Sequence, residues 1–308
     1  MAELIYGAMN LARIPAQQAS RVINELIDAA LEMGITRFDH ADIYGHGESE
    51  RRFGEVLQSR PELKSVLKVQ SKCGIRLPTE NQVGYYDLSA AHIVRSVEES
   101  LQRLDLEQLD TLLLHRPDPL VNLAEVTSSL ADLLASGKIL NLGVSNMSAA
   151  QIAYLQNGLG IKVSCNQLEL SLAKHDFVES TVLVNHPENT GISFPHGTIE
   201  YCQENQVELQ AWGALAQGRY SGAVQNNYDD AIAQTAALVY ELSQEYGCTT
   251  EEIVLGWLLA HPANISPLIG TTHVGRLKAC ADSLRVGAQL TKTHWYELWV
   301  RSRGRNLP

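Results

Sequence analysis

"LDTLLLHRPDPLVNLAEVTSSLADLLASGKILNLGVSN", residues 109 to 146, reads as strand, helix, strand. Segments 109–115 and 139–145 are short and apolar, with the length of buried strands rather than helices. Between them, 123–138 carries a helical pattern and closes on Gly137, the residue type that best ends a helix. Two strands joined by a helix long enough for a crossover run parallel, and strands this apolar are covered on both faces.

The same alternation continues in both directions. Strand candidates 4–9, 35–39 and 66–72 precede the stretch, and 163–169, 208–212 and 266–271 follow it, which makes eight. In 18–34 the residues Val22, Leu26, Ala29, Ala30 and Met33 share one face, and Gly34 supplies the stop. In 89–104 Ser89 can cap, and Ile93, Val97, Leu101 and Leu104 form a stripe. Eight such units without a linker fit an α/β fold, a closed (β/α)8 TIM barrel forming one domain over 1–308, better than a doubly wound sheet. Three elaborations are predicted. Segment 171–197, with Pro187, Gly191 and Pro195, is a long loop over the barrel mouth after strand six. Both 229–247 and 249–262 are helical, so one extra helix follows strand seven, and 292–302 is a C-terminal helix.

The net charge of −11 argues against a nucleic-acid surface, which needs clustered Lys and Arg. No apolar run approaches the roughly 20 residues of a membrane helix, and the first residues have no signal-peptide pattern, so no membrane partner and a cytoplasmic location are expected. Five widely spaced cysteines without a C-x-x-C pair read as reduced thiols, with no metal site.

In a barrel of this kind the chemistry collects where strands end and the following loops begin. Those positions hold Asp39, with Tyr44 in its loop, then Lys72, His115, Ser145 with Asn146, Asn166 with Gln167, Trp212, and Gly270-Thr271-Thr272. An isolated Lys or His at such a place is usually solvated or structural. Four proton-handling groups at consecutive strand ends, inside otherwise apolar segments, are different, because an unpaired charge there is expensive to bury. Pairing Lys72 with Asp39 removes that cost and leaves Tyr44 beside a positive charge.

The motifs "FDHADIYG" (38–45), "SKCGI" (71–75), "LLLHRPDP" (112–119), "GVSN" (143–146) and "CNQLE" (165–169) resemble, in order, the signatures of the aldo-keto reductases, and most closely a bacterial branch of oxidoreductases. The resemblance covers essentially the whole chain. It implies an NADPH-dependent enzyme that reduces aldehydes and ketones, with a catalytic tetrad at Asp39, Tyr44, Lys72 and His115. Tyr44 would protonate the carbonyl oxygen as hydride arrives. Lys72 would lower the phenol's pKa, Asp39 would hold Lys72, and His115 would orient the carbonyl. Gly45 permits the turn that brings Tyr44 back.

No Rossmann or Walker fingerprint is present, and the resemblance places NADP across the strand ends instead. By that likeness Ser145, Asn146 and Gln167 hold the carboxamide and Trp212 stacks on the nicotinamide. Gly213, Leu215, Gln217, Gly218 and Arg219 follow the pyrophosphate. Thr271 and Thr272, with Gly270, precede a helix suited to an anion, and Arg276 matches the position that meets the 2′-phosphate, favouring NADPH over NADH. Two departures stand out: Ala279 and Cys280 replace groups that meet the adenine, and the N-terminal hairpin is missing, so 4–10 is strand one with Met9 and Asn10 at the mouth.

Two other readings remain open. Lys72 could be the Schiff-base amine of a lyase or aldolase, or the chain could be a cofactor-sensing subunit that binds NADPH without turnover. The substrate is a small carbonyl compound whose identity lies in irregular loops, 171–197 and 219–229, with Tyr85, Tyr86 and Phe194 as candidate lining residues.

Overall fold

The computed structural model describes residues 2–222 and 230–308. Among the described residues ten strands occur in order: β1 (Ile5–Gly7), β2 (Arg37–Asp39), β3 (Lys68–Cys73), β4 (Ile75–Arg76), β5 (Tyr85–Tyr86), β6 (Leu109–Leu114), β7 (Ile139–Ser145), β8 (Val163–Glu169), β9 (Glu208–Trp212) and β10 (Ser266–Ile269). Eight of them close a barrel in the order β1-β10-β9-β8-β7-β6-β3-β2, as the alternation of the sequence predicts, and β4 and β5 form a separate two-stranded ribbon. The helices are α1 (Ala16–Glu32), α2 (Glu48–Ser59), α3 (Ala90–Leu104), α4 (Leu123–Ala135), α5 (Ala149–Leu159), α6 (Asp176–Val182), α7 (Thr198–Glu204), α8 (Asp230–Glu245), α9 (Thr250–Leu259), α10 (Val274–Lys278), α11 (Ser283–Gln289) and α12 (Lys292–Arg303). No helix among the described residues is long and apolar enough to cross a membrane.

The chain divides into two compact units. The first comprises Ile5–Gln167 with Gly270–Val274. Its parallel registers set Gly7 beside Asp39, Asp39 beside Gln70, Lys72 beside Leu113 and Ser145 beside Gln167. Between the polar groups described below, Phe38, Val69, Leu112 to Leu114 and Val144 of these strands are apolar and buried. The Ser89 hydroxyl caps α3 by accepting from the His92 amide.

Strand one is shorter than predicted. It stops at Gly7, and Ala8–Arg13 wind into a 3-10 helix, so Met9 and Asn10 leave the ladder. The Asn10 side chain instead donates to the Gly270 carbonyl at 3.0 Å. The ribbon of β4 and β5, pairing Ile75 with Tyr86, was not anticipated, and it leaves Tyr85 and Tyr86 exposed.

The second unit comprises Met1–Leu4, Leu168–Ile269 and Gly275–Pro308. Here β9 and β10 pair with Gln210 beside Ser266. Segment 171–197 is more ordered than a bare loop, because α6 buries Phe177 and Val178 and a 3-10 turn follows at Pro187–Gly191. The C-terminal helix is fixed by aromatic packing: Trp295 stacks on Trp257 with ring centroids 5.0 Å apart, and each indole N–H donates to the other residue's carbonyl. Trp299 donates to Glu179 at 3.0 Å, and the buried Arg303 guanidinium binds the same carboxylate at 2.8 and 3.0 Å. Of the two loops expected to set specificity, residues 223–229 lie outside the described residues.

Candidate active site

Strand β2 ends on Asp39, and this carboxylate is the hub of the site. Its Oδ2 accepts from Lys72 Nζ at 2.6 Å, while its Oδ1 accepts from the amides of Gln70 at 2.6 Å and Gln167 at 2.8 Å. Strands β2, β3 and β8 each contribute one or more of these groups, and all four side chains are essentially buried. A buried carboxylate with a cation and two neutral donors has its lone pairs satisfied, which is the condition for keeping a charge out of water.

Lys72 donates twice more, to the His40 carbonyl at 2.8 Å and to the Tyr44 hydroxyl at 3.0 Å. Burial acts to strip its proton, but Asp39, then Tyr44, outweigh that and leave the ammonium held above its ordinary range. Tyr44 reaches Lys72 because the chain after Asp39 turns sharply. Gly45 has φ +60, and a Cβ there would lie 2.3 Å from Ala12 Cβ, so only glycine fits this bend. His46 and Gly47 continue in the left-handed region and deliver the chain into α2.

The acidity of Tyr44 differs from the sequence expectation in its net direction. Lys72 pulls the phenol down as foreseen, yet burial pushes it up more strongly, and the hydroxyl is held above the usual phenol range. His115 follows β6, with its ring edge-on to Tyr44 at 6.2 Å between centroids. Burial first, then the charges of Lys72 and Arg116, push this imidazole down to about 3, so it is neutral at physiological pH. Its Nδ1 is buried without a hydrogen-bond partner among the described residues.

Ser145, Asn146 and Gln167 form one chain of contacts. Asn146 Nδ2 donates to Ser145 Oγ at 2.8 Å, and Ser145 Oγ donates to the Gln167 carbonyl at 2.9 Å. Asn146 sits at φ +57, a conformation its short amide tolerates. Gly270 and Thr271 are pinned to the first strand and turn, because the Thr271 carbonyl accepts from Tyr6 Oη at 2.7 Å. A helix does follow Thr272, but it is α10, only five residues long. In the other unit, half-buried Trp212 ends β9, and left-handed residues at Gly213, Ala216, Gln217 and Gly218 make the following "WGALAQGRY" a series of turns. Leu215 and Arg219 lie within those turns, and Arg276 is exposed on α10.

The sequence matches the profile of the Aldo/keto reductase family over residues 3–298. The chain belongs to the aldo/keto reductase family. Like its relatives it is an oxidoreductase, and the family carries the coarse activity, carbonyl reduction with a nicotinamide cofactor. A "6-dehydroglucose reductase" of Agrobacterium fabrum is 32% identical over 311 residues, covering 100% of this chain and 96% of that protein. "Oxidoreductase YdhF" of Escherichia coli is 32% identical over 94% of this aldo/keto reductase and 90% of its own length. A crystal structure of the thermostable aldo-keto reductase Tm1743, in complex with the inhibitor epalrestat, superposes with a TM-score of 0.73 at 25% identity, covering 98% of this chain and 95% of that one.

Three polar residues around this candidate site are not evident from the sequence. Gln70 stands two residues before Lys72, hence on the same face of β3, and that alternation was the available signal. Glu50 and Arg103 are the others. Glu50 is fully buried, accepting from Ser71 at 2.5 Å, Ser100 at 3.2 Å and Arg103 Nε at 2.7 Å.

Proposed function

We propose that this enzyme reduces aldehydes or ketones to alcohols with NADPH, using Tyr44 as the general acid. The reading rests on one arrangement: Lys72 donates to the Tyr44 oxygen at 3.0 Å while Asp39 and the His40 carbonyl take its other bonds. Because the ammonium gives this hydrogen bond rather than receiving it, the phenol's own proton is directed elsewhere, toward a substrate oxygen. A raised phenol keeps that proton at neutral pH, as an acid must. When it leaves, the developing phenolate faces a fixed positive charge in a site of low polarity. Neutral His115 can hydrogen-bond the same carbonyl oxygen without competing for the proton.

NADPH, when bound, supplies the hydride, which no side chain can provide. The hydroxyl and two amides of Ser145, Asn146 and Gln167 suit a carboxamide, with Gly270, Thr271 and Thr272 beside strand one as further backbone contacts. On the resemblance in sequence, Trp212, Gly213, Leu215, Gln217, Gly218, Arg219 and Arg276 serve the same nucleotide. Arg276→Ala is expected to raise the KM for NADPH about tenfold and leave that for NADH nearly unchanged, since a charge-assisted contact to phosphate is worth about that factor. Equal effects on the two nucleotides would remove the preference for NADPH.

The function is tested by following NADPH consumption with aldehydes, ketones and quinones. The name of the Agrobacterium relative puts 6-dehydroglucose on the panel. Turnover with formation of the alcohol is expected; NADPH binding with no turnover on any compound would favour the sensing role. The Schiff-base reading is disfavoured by Lys72 itself, whose nitrogen is buried, makes three hydrogen bonds and stays protonated, whereas an imine needs a neutral, accessible amine. Lys72→Met is expected to cost about 3 kcal/mol in stability by stranding Asp39, and at least ~10²-fold in kcat. Adding Asp39→Asn should restore part of the stability, read by urea unfolding, and none of the turnover.

A further inference from the structure

The turn between Asp39 and Tyr44 carries a second acid, Asp42, which the mechanism above does not use. Its N–H donates to the Lys72 carbonyl at 3.0 Å, so its backbone is fastened to β3. Its Oδ1 is buried without a hydrogen-bond partner among the described residues, and the nearby Ser96 hydroxyl and Ile43 amide favour its charge only weakly against burial.

The groups around Asp42 do not neutralise it. Lys72, on β3, is committed to Asp39. Glu50, on α2, repels it, and Cys73 on β3 is buried and neutral. Arg103, on α3, favours its charge, but that guanidinium is bound to Glu50 at 2.7 Å and lies 3.5 Å from Glu99. Two carboxyls, Asp42 and Glu50, therefore share one guanidinium, and Glu50 holds its hydrogen bond. Asp42 is the carboxyl left over.

We propose that Asp42 is a positioning residue that sets the strength of Tyr44 as an acid: it is neutral in the active form of the turn, and its ionisation places a negative charge near the phenol and weakens proton donation. The proposal rests on the assignment of Tyr44 as the general acid. Burial, then Glu50, push Asp42 up to about 7, so the change falls within the working range of an enzyme. Tyr44 responds in the required direction: beyond the effect of burial, the charges of Asp39 and Asp42 add to its rise, and Lys72 opposes them. As pH climbs through neutrality Asp42 ionises, Tyr44 becomes a weaker acid, and the rate of reduction settles on a lower plateau.

The test is the pH profile of kcat for NADPH-dependent reduction in the full chain, comparing the wild type with Asp42→Asn and Glu50→Gln. The wild type should fall about threefold in a step near neutrality. Asp42→Asn, a neutral isostere, should keep the wild-type rate on the acid side and lose the step. Glu50→Gln, which frees Arg103 to pair with Asp42, should move the step to lower pH. A wild-type profile without a step, or a step that survives in Asp42→Asn, overturns the proposal. Carbon-13 NMR of the Asp42 carboxyl in the wild type gives an answer independent of variant folding: titration near neutrality supports it, and titration in the ordinary carboxylate range overturns it. Tyr44→Phe separates the two assignments, since loss of turnover there together with superimposable wild-type and Asp42→Asn profiles defeats the role of Asp42 alone.

Discussion

Tyr44→Phe is expected to lower kcat and kcat/KM together by about 10³-fold, with NADPH affinity changed by less than about threefold. The exchange removes one oxygen and keeps the ring that stands edge-on to His115. Lys72 loses one of three acceptors but retains Asp39 and the His40 carbonyl, so its position and charge survive. The folded state is thus disturbed little, and the loss falls on the step in which a proton must reach the substrate oxygen. A loss confined to KM would mean that Tyr44 only binds substrate. Turnover within tenfold of the wild type would place the acid elsewhere, and His115, already neutral, would be the next group to test.

Gly54→Ala is expected to unfold the protein more readily by about 2–4 kcal/mol, although the same exchange in an open helix stabilises by ~1 kcal/mol. A Cβ at position 54 would sit 2.0 Å from the Arg103 carbonyl oxygen and 2.8 Å from the Leu104 carbonyl carbon. Those atoms are backbone, so α2 and α3 must separate to make room, and the burial of Phe53, Val56 and Leu104 suffers with them. Urea unfolding should show a lower midpoint with an unchanged slope. Gly34→Ala is the contrast, because nothing lies within 4 Å of its added Cβ and only the left-handed backbone at φ +75 resists it, at about 1 kcal/mol. If Gly54→Ala were as stable as the wild type, the close approach of the two helices would not matter to the fold.

The barrel and its four strand-end groups were legible because both follow from local rules. Apolar segments of strand length alternate with helical stripes, and charged residues inside such segments stand out. The residues that hold those groups were harder to read. Glu50 and Arg103 belong to helices with many charges, where the ordinary inference is a solvated face. Glu50 is buried against the half-buried Arg103 because glycine at 54 lets α2 and α3 touch, a fact of packing between segments fifty residues apart. The ribbon of β4 and β5 has two residues per strand, too few for any periodicity to register. Strand one was read too long for a similar reason: Met9 and Asn10 are compatible with a strand, whereas in the fold they wind into a 3-10 helix and Asn10 reaches Gly270.

The threefold grip on Asp39 has a consequence for biosynthesis. Its partners come from positions 70, 72 and 167, the last separated from it by 128 residues. A nascent polypeptide that has emerged only as far as β3 can join the acid to Lys72, but the amide from β8 arrives much later in translation. Until then the hub is one donor short. The set of donors around Asp39 is therefore complete only once the ribosome has delivered the strand that carries Gln167.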